Sequence, residues 1–317
     1  MKSHRRIEFD ILKGLLIILV VAGHALPSTS FVDRVIYWFH MPCFFMVSGY
    51  FMKQSHNNPF MDRDYLIHQV RRCIVPFFVW CFCLYLIFRP ENPLKNLIRV
   101  LYAGHNNITI YSFPFWFINA LFVSSIMLSF AEYVTKRNKW CMGGGALALW
   151  IICHTLLPLS CPLPWSIDQS VGAICFLWIG TLFRKMDYKF FYWHLIFPLI
   201  AILFLFYNIN NGMFYHLNMS AMQYDYFFLD IFVPCLFSFS LLLLSLALCR
   251  TKILAWALSH IGMASITIFF AHAALLYLQK NLGVNIYVQV FLAVILGMLI
   301  HRFFKQFKYT RMLFLGK

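Results

Sequence analysis

The stretch FDILKGLLIILVVAGHAL, residues 9–26, is long and apolar enough to cross a lipid bilayer as one α-helix. It nevertheless carries Asp10 and Lys13 near one end and His24 near the other. Ionisable side chains inside a membrane cost about 2.5–3.5 kcal/mol each on insertion scales. We therefore treat all three residues as candidates for function.

Apolar blocks of similar length recur along the rest of the 317-residue chain. Hydrophobic residues make up 62% of it and charged residues only 12%, with a mean hydropathy of +0.72. A soluble domain has about 25% charged residues, and a membrane β-barrel has segments in which apolar and polar residues alternate. The composition therefore predicts an all-α fold, a polytopic transmembrane helix bundle, with residues 1–317 forming a single integral membrane domain.

The distribution of positive charge predicts the number of spans and their orientation. With an even number of spans and the N-terminus in the cytoplasm, 20 Lys and Arg residues lie in the cytoplasmic connections or at the cytoplasmic ends of runs, and 5 lie in the outer connections or at the outer ends of runs. This bias follows the positive-inside rule, so we predict about ten spans with both termini cytoplasmic. The apolar runs cover residues 9–26, 35–52, 73–89, 113–131, 140–158, 165–183, 190–207, 228–248, 260–279 and 284–303.

The net charge of +15 and the ten cysteines have plain explanations in a membrane protein. The basic residues lie in the short connections, so we expect no nucleic-acid partner and a lipid bilayer as the surrounding medium. Most cysteines lie within apolar runs and none forms a CxxC pair. A buried cysteine behaves as a small hydrophobic residue, so we expect neither disulfides nor a metal site.

Lys13 and His24 lie on one face of the first helix, because eleven residues correspond to three turns plus roughly 20°. They are separated along the helix axis by about 16 Å. In the predicted orientation, Lys13 lies near the cytoplasm and His24 near the outer surface. A purely structural alternative is that Lys13 extends to the lipid headgroups and that His24 is interfacial.

Further polar residues lie in or beside later runs. His40 and Tyr50 belong to the second run, where Pro42 frees a backbone carbonyl. A freed carbonyl inside a membrane is tolerated where the helix is buried in protein or lines a water-filled cavity. Arg71 and Arg72 precede the third run and suit a phosphate-bearing ligand, although they also fit positive-inside anchoring. The remaining candidates are Arg89 at the outer end of the third run, Trp116 and Asn119 in the fourth and His272 in the ninth.

Several motifs occur in an order that resembles one family. The first helix contains Lys13, ten residues and His24; FHMPCFFMVSGY follows at residues 39–50, RRCIVPFFVW at 71–80 and FWFINALF at 115–122. The segment ICFLWIGTLFRK occupies residues 174–185, and Gly262, Ser265, Ile268 and His272 form a late motif. Together they resemble the bacterial membrane acyltransferase-3 proteins, which acylate sugars of surface polysaccharides and related acceptors.

The resemblance implies transfer of an acyl group, most often acetyl, from cytoplasmic acyl-CoA to a carbohydrate hydroxyl at the bacterial plasma membrane. His24 is the expected general base, since its ordinary pKa of about 6.5 suits proton transfer near neutral pH. The alternative is that His24 carries the acyl group transiently. Asp10 and Lys13 are expected at the donor end, and Arg71 and Arg72 at the phosphates of acetyl-CoA. The expected acceptor-binding residues are Arg89, His40, Tyr50, Trp116, Asn119 and His272.

Two other classes of function also fit a polar stripe across the membrane. A transporter or flippase for a polysaccharide unit would line its path with these side chains, but it would not require acyl-CoA. A structural subunit of an envelope synthase would tolerate single changes at Lys13 or His24.

Overall fold

The computed structural model describes residues 5–53, 55, 57–104, 109, 111–157, 162–184 and 195–317. Helices dominate these residues, which confirms the predicted all-α class. The one sheet in the described part of the chain has two strands of two residues each, β1 (Leu217–Asn218) and β2 (Gln223–Tyr224).

Fourteen α-helices are described. The first seven are α1 (Ile7–Ala25), α2 (Phe31–Tyr50), α3 (Arg63–Gln69), α4 (Val75–Phe88), α5 (Pro93–Tyr102), α6 (Trp116–Val134) and α7 (Lys139–Thr155). The other seven are α8 (Ile167–Phe183), α9 (Ile196–Asn210), α10 (Leu229–Leu248), α11 (Lys252–Met263), α12 (Ser265–Asn281), α13 (Ile286–Gln306) and α14 (Lys308–Leu315). A π-helical segment, Val70–Ile74, joins α3 to α4, and short 3₁₀ turns precede α6 and α8.

The described residues of the ten apolar runs are mostly helical, and the run at 260–279 is divided between α11 and α12. The run at 140–158 ends, and the run at 190–207 begins, outside the described part of the chain. Five helical segments there are long and apolar enough to cross a membrane, or six if the bent pair α11–α12 is one span. They are Arg63–Phe88, Phe113–Val134, Pro164–Phe183, Leu229–Leu248 and Ile286–Gln306. The count of ten spans and the cytoplasmic placement of both termini stay predictions.

Two helix starts show how local sequence sets the element boundaries. The Asp62 carboxylate caps α3 by accepting a hydrogen bond from the Tyr65 amide, and it also accepts one from the Ser55 hydroxyl. These two bonds hold the pKa of the Asp62 carboxyl below its usual range. The Asn138 side chain caps α7 by accepting hydrogen bonds from the Trp140 and Cys141 amides.

The described chain forms two compact units. Of the described residues, the first comprises 5–44, 195–217 and 225–301, and the second comprises those between 45 and 184 together with 218–224 and 302–317. In the first unit, α1 packs against α10, α11 and α12, and α9 packs against α10. In the second unit, α8 packs against α6 and α7, and α14 packs against α4.

Glycines bring helix backbones into contact within each unit. In the first unit, a Cβ added to Gly14 would collide with the Leu258 carbonyl, and one added to Gly262 would collide with the Asp10 carbonyl. In the second unit, Gly49 lies against the Leu177 carbonyl and Gly180 against the Met46 carbonyl. Small residues at such crossings allow close backbone approach in membrane helix pairs.

Gly262→Ala should lower the melting temperature of the purified protein in detergent by several degrees. The added methyl group would overpack the α1–α11 crossing, which typically costs about 1–3 kcal/mol. Gly144→Ala is the matched control, since nothing lies within 4 Å of a Cβ at Gly144 on α7. Equal melting temperatures for the two variants would argue against the close crossing.

Candidate active site

His24, in the last turn of α1, packs against side chains from two other helices. Its ring stacks on that of His272 from α12, with centroids 5.2 Å apart and planes inclined by 22°. The Tyr37 hydroxyl oxygen from α2 lies 3.3 Å from His24 Nδ1, and the two rings meet edge to face. His24 is partly exposed, so it is held in place and still open to a reactant.

His272 is fully buried, and its tautomer follows from its hydrogen bonds. Nδ1–H donates to the Phe269 carbonyl at 2.6 Å and lies 3.3 Å from the Ile268 carbonyl. The protonated Nδ1 leaves Nε2 as a hydrogen-bond acceptor. No group among the described residues bonds to this Nε2, so His272 presents an acceptor beside His24.

His40 completes the same group of side chains. It is buried, and its Nδ1–H donates to the Ile36 carbonyl at 2.7 Å, one turn earlier on α2. Its ring meets the Tyr37 ring edge to face, with centroids 5.0 Å apart. We refer to His24, Tyr37, His40 and His272 as the histidine cluster.

Asp10 and Lys13 form an ion pair near the other end of α1. Lys13 Nζ lies 2.8 Å from one Asp10 carboxylate oxygen, and Arg5 Nε lies 2.8 Å from the other. The Asp10 side chain is only 12% exposed and that of Lys13 is 29% exposed. A half-buried charge needs a partner, and the spacing of three residues within one helix supplies it.

Arg71 and Arg72 lie in the π-helical segment between α3 and α4, where Arg71 is exposed and Arg72 is partly buried. The Val75 amide donates to the Val70 carbonyl across this wider turn. π-Helical turns are rare and are often found at functional sites. The wider turn also changes the direction in which side chains on either side of it project.

The other predicted substrate-binding residues occupy varied positions in the second unit. Arg89 is exposed and ends α4 in a left-handed conformation, with φ of 42°. Trp116 is buried beside Phe45, with ring centroids 6.5 Å apart, and Tyr50 is also buried. Asn119 is fully buried and its amide donates to the Ala103 carbonyl at 3.3 Å.

The structure thus brings some of the predicted site residues together. One compact unit contains Asp10, Lys13, His24, His40 and His272. The other contains Tyr50, Arg71, Arg72, Arg89, Trp116 and Asn119.

Tyr37 is the member of the cluster that the sequence analysis did not single out as a candidate. Its spacing of three residues from His40 places both on one face of α2 and was the available signal. In the part of the chain that the structure describes, no three His, Cys, Asp or Glu side chains are grouped as metal ligands.

Comparison with known protein families supports the same assignment. A family model described as "Acyltransferase domain" matches residues 6–303, which confirms the resemblance drawn from the helix motifs. No solved structure matches the chain significantly.

Two curated relatives are both named "Nodulation protein NolL". The protein of Mesorhizobium japonicum is 25% identical over 163 residues, which is 46% of this chain and 41% of the relative. The protein of Sinorhizobium fredii is 25% identical over 180 residues, which is 50% of this chain and 45% of the relative. The match therefore spans less than half the length of either relative.

Asp10→Asn should destabilise the protein more than Lys13→Met, because it leaves both Lys13 and Arg5 without their shared carboxylate. The double variant should be more stable than the sum of the single effects predicts, by about 1 kcal/mol, since the two residues interact directly. Melting temperatures of the four proteins in detergent measure this coupling. Strictly additive effects would mean that the pair contributes nothing.

Proposed function

Because the chain belongs to the membrane acyltransferase-3 family, whose acyltransferase domain it matches over residues 6–303, we propose that it acylates a carbohydrate. The donor is cytoplasmic acyl-CoA, with acetyl as the acyl group. The acceptor is a hydroxyl of a cell-surface or lipid-linked sugar. The protein acts in the bacterial plasma membrane, with both termini in the cytoplasm.

The observation that carries this proposal is the position of His24. A sugar hydroxyl is a weak nucleophile at neutral pH, and its attack on a thioester needs a base within hydrogen-bond reach. The stacked ring of His272 and the hydroxyl of Tyr37 fix the plane of the His24 imidazole. A fixed and partly exposed imidazole at the end of α1 suits this role better than a flexible interfacial side chain would.

The proposed chemical step uses the tautomer of His24 that has its proton on Nδ1. In that tautomer Nδ1–H donates to the Tyr37 oxygen, and the basic lone pair is on Nε2. Nε2 takes the hydroxyl proton while the hydroxyl oxygen forms a bond to the thioester carbonyl carbon. The carbon–sulfur bond then breaks, and the departing CoA thiolate takes the proton from the imidazolium. The products are the sugar ester and free CoA, with His24 returned to its starting state.

The neighbouring histidines suit binding of the acceptor. The Nδ1–H groups of His40 and His272 are both committed to backbone carbonyls, so Nε2 of each is an acceptor. Sugar hydroxyls donate hydrogen bonds, and two acceptors beside the base would orient the attacking hydroxyl. Arg89, Tyr50, Trp116 and Asn119, which belong to the second unit, stay predicted acceptor-binding residues.

Charged side chains of each compact unit are proposed for the donor, separately for the two units. Asp10 neutralises Lys13 and keeps its ammonium group in one position, while Arg71 and Arg72 would bind the phosphates of CoA. Arginine guanidinium groups present paired donors that match phosphate oxygens. A transporter would have no use for such a donor site.

His24→Ala should abolish acetylation, with a loss of at least about 100-fold, because general base catalysis typically contributes 10²–10⁴. His260→Ala is the matched control, since His260 lies on α11 and its Nδ1–H donates within its own helix to the Trp256 carbonyl. The measurement is mass spectrometry of envelope glycans from cells that express each variant at equal levels. Full acetylation in the His24 variant would overturn the assignment.

A second measurement separates the enzyme from a transporter. Membrane vesicles supplied with labelled acetyl-CoA should transfer the label to glycan, and vesicles given labelled acetate should not. Glycan movement that continues without acetyl-CoA would support the transporter instead.

A further inference from the structure

The C-terminal helix α14 folds back on the second compact unit through an aromatic contact. The Phe314 ring stacks on the Phe304 ring, with centroids 3.9 Å apart and planes inclined by 15°. Trp80 of α4 meets both rings edge to face, at 5.6 Å from Phe314 and 5.8 Å from Phe304. Trp80 Nε1–H also donates to the Phe314 carbonyl at 3.4 Å.

Hydrogen bonds at the α13–α14 turn hold α14 in this position. The Thr310 hydroxyl lies 2.7 Å from the Phe304 carbonyl and 3.1 Å from the Phe307 carbonyl, and it donates to both. The first turn of α14 is therefore tied to the end of α13. This part of the chain, residues 308–317, lies beyond the residues 6–303 that match the family.

The end of α14 lies on the π-helical segment. Gly316 ends the helix in a left-handed conformation, with φ of 66°. A Cβ at Gly316 would lie 2.6 Å from the Arg71 carbonyl oxygen and 2.9 Å from the Arg72 Cα. The neighbouring Leu315 is buried, so the end of α14 packs closely on the protein here.

A π-helical turn benefits from such support. Its backbone bond from the Val75 amide to the Val70 carbonyl spans five residues, and isolated π-turns are rarer than α-helical turns. If this segment reverted to an α-helix, the side chains before it would turn by about 100° relative to those after it. The directions of Arg71 and Arg72 therefore depend on keeping the π-turn.

We propose that residues 308–317 are a clamp that holds the π-turn and so positions Arg71 and Arg72 for the phosphates of the CoA donor. This inference rests on the proposed function, in which these arginines bind the donor. The clamp also brings cations of its own, since Lys308, Arg311 and Lys317 lie in a segment that has no Asp or Glu. Added positive charge at this end favours an anionic ligand.

Gly316→Ala tests the clamp, and Gly283→Ala is the matched control. Both glycines have positive φ, of 66° and 70°, but nothing lies within 4 Å of a Cβ at Gly283. The two variants therefore share the backbone strain, and only the first collides with Arg71. CoA and 3′-dephospho-CoA are titrated against the full-length proteins in detergent by calorimetry.

Gly316→Ala should weaken CoA binding by about tenfold, the equivalent of one charge-assisted hydrogen bond. It should also reduce the preference for CoA over 3′-dephospho-CoA, because misplaced arginines bind the extra phosphate less tightly. Hydrogen exchange at the Val75 amide should become faster. Gly283→Ala should bind CoA within about twofold of the unmodified chain, which is below 0.5 kcal/mol.

A second pair of variants tests the clamp independently, so that a folding defect in Gly316→Ala does not decide the result. Phe314→Ala removes the ring that stacks on Phe304 and meets Trp80 edge to face, whereas Phe303→Ala removes an exposed ring on the same helix as Phe304. The first should weaken CoA binding and lower the CoA preference, and the second should not.

The failures of the two proposals can be told apart. If the unmodified chain does not bind CoA at all, the donor assignment of the proposed function is wrong. If it binds CoA, and neither Gly316→Ala nor Phe314→Ala changes the affinity or the preference, the clamp is wrong and the proposed function stands.

Discussion

The close backbone contact between α1 and α11 at Gly14 and Gly262 is the constraint on which the candidate site depends. It fixes the depth at which α1 lies against a helix pair that bends by 73° between α11 and α12. Because of the bend, α1 contacts both members of the pair. The crossing with α11 involves the Asp10 backbone, and α12 carries His272 to the His24 ring. A shift at the crossing would therefore displace the stacked histidines.

Much of this arrangement was predictable from the sequence, because the signals were local or compositional. Apolar runs mark the helices, because the mean hydropathy of a segment measures how strongly it favours burial away from water. The motif positions were also informative, although for different reasons than expected. Gly49 and Gly180 belong to two separate motifs, and each lies where α2 and α8 approach closely. The late motif likewise provides Gly262 for packing and His272 for the site.

Other features depend on contacts between distant parts of the chain, and no local pattern reports those. The bend at Ala264 lies within a segment read as one continuous run, since neither proline nor an obvious break marks it. The π-turn at Val70–Ile74 has ordinary helix-forming residues, so its register depends on what packs against it. Aromatic residues such as Tyr37 are common at membrane surfaces, so its place near the start of the second run is no specific signal of a site. Its partner His24 lies on another helix, and hydropathy does not report such pairings.

The distance in sequence between α1 and its partners has a consequence for the order of synthesis. His272 follows His24 by 248 residues, and at about 5–20 residues per second a ribosome needs roughly 12–50 s to make them. During this time α1 has neither the glycine crossing nor the stacked imidazole. The Asp10–Lys13 pair, however, forms within α1 alone and is complete as soon as this helix exists. The costliest charges of the first helix are thus neutralised early, whereas the reactive end acquires its shape only when the ninth apolar run has emerged.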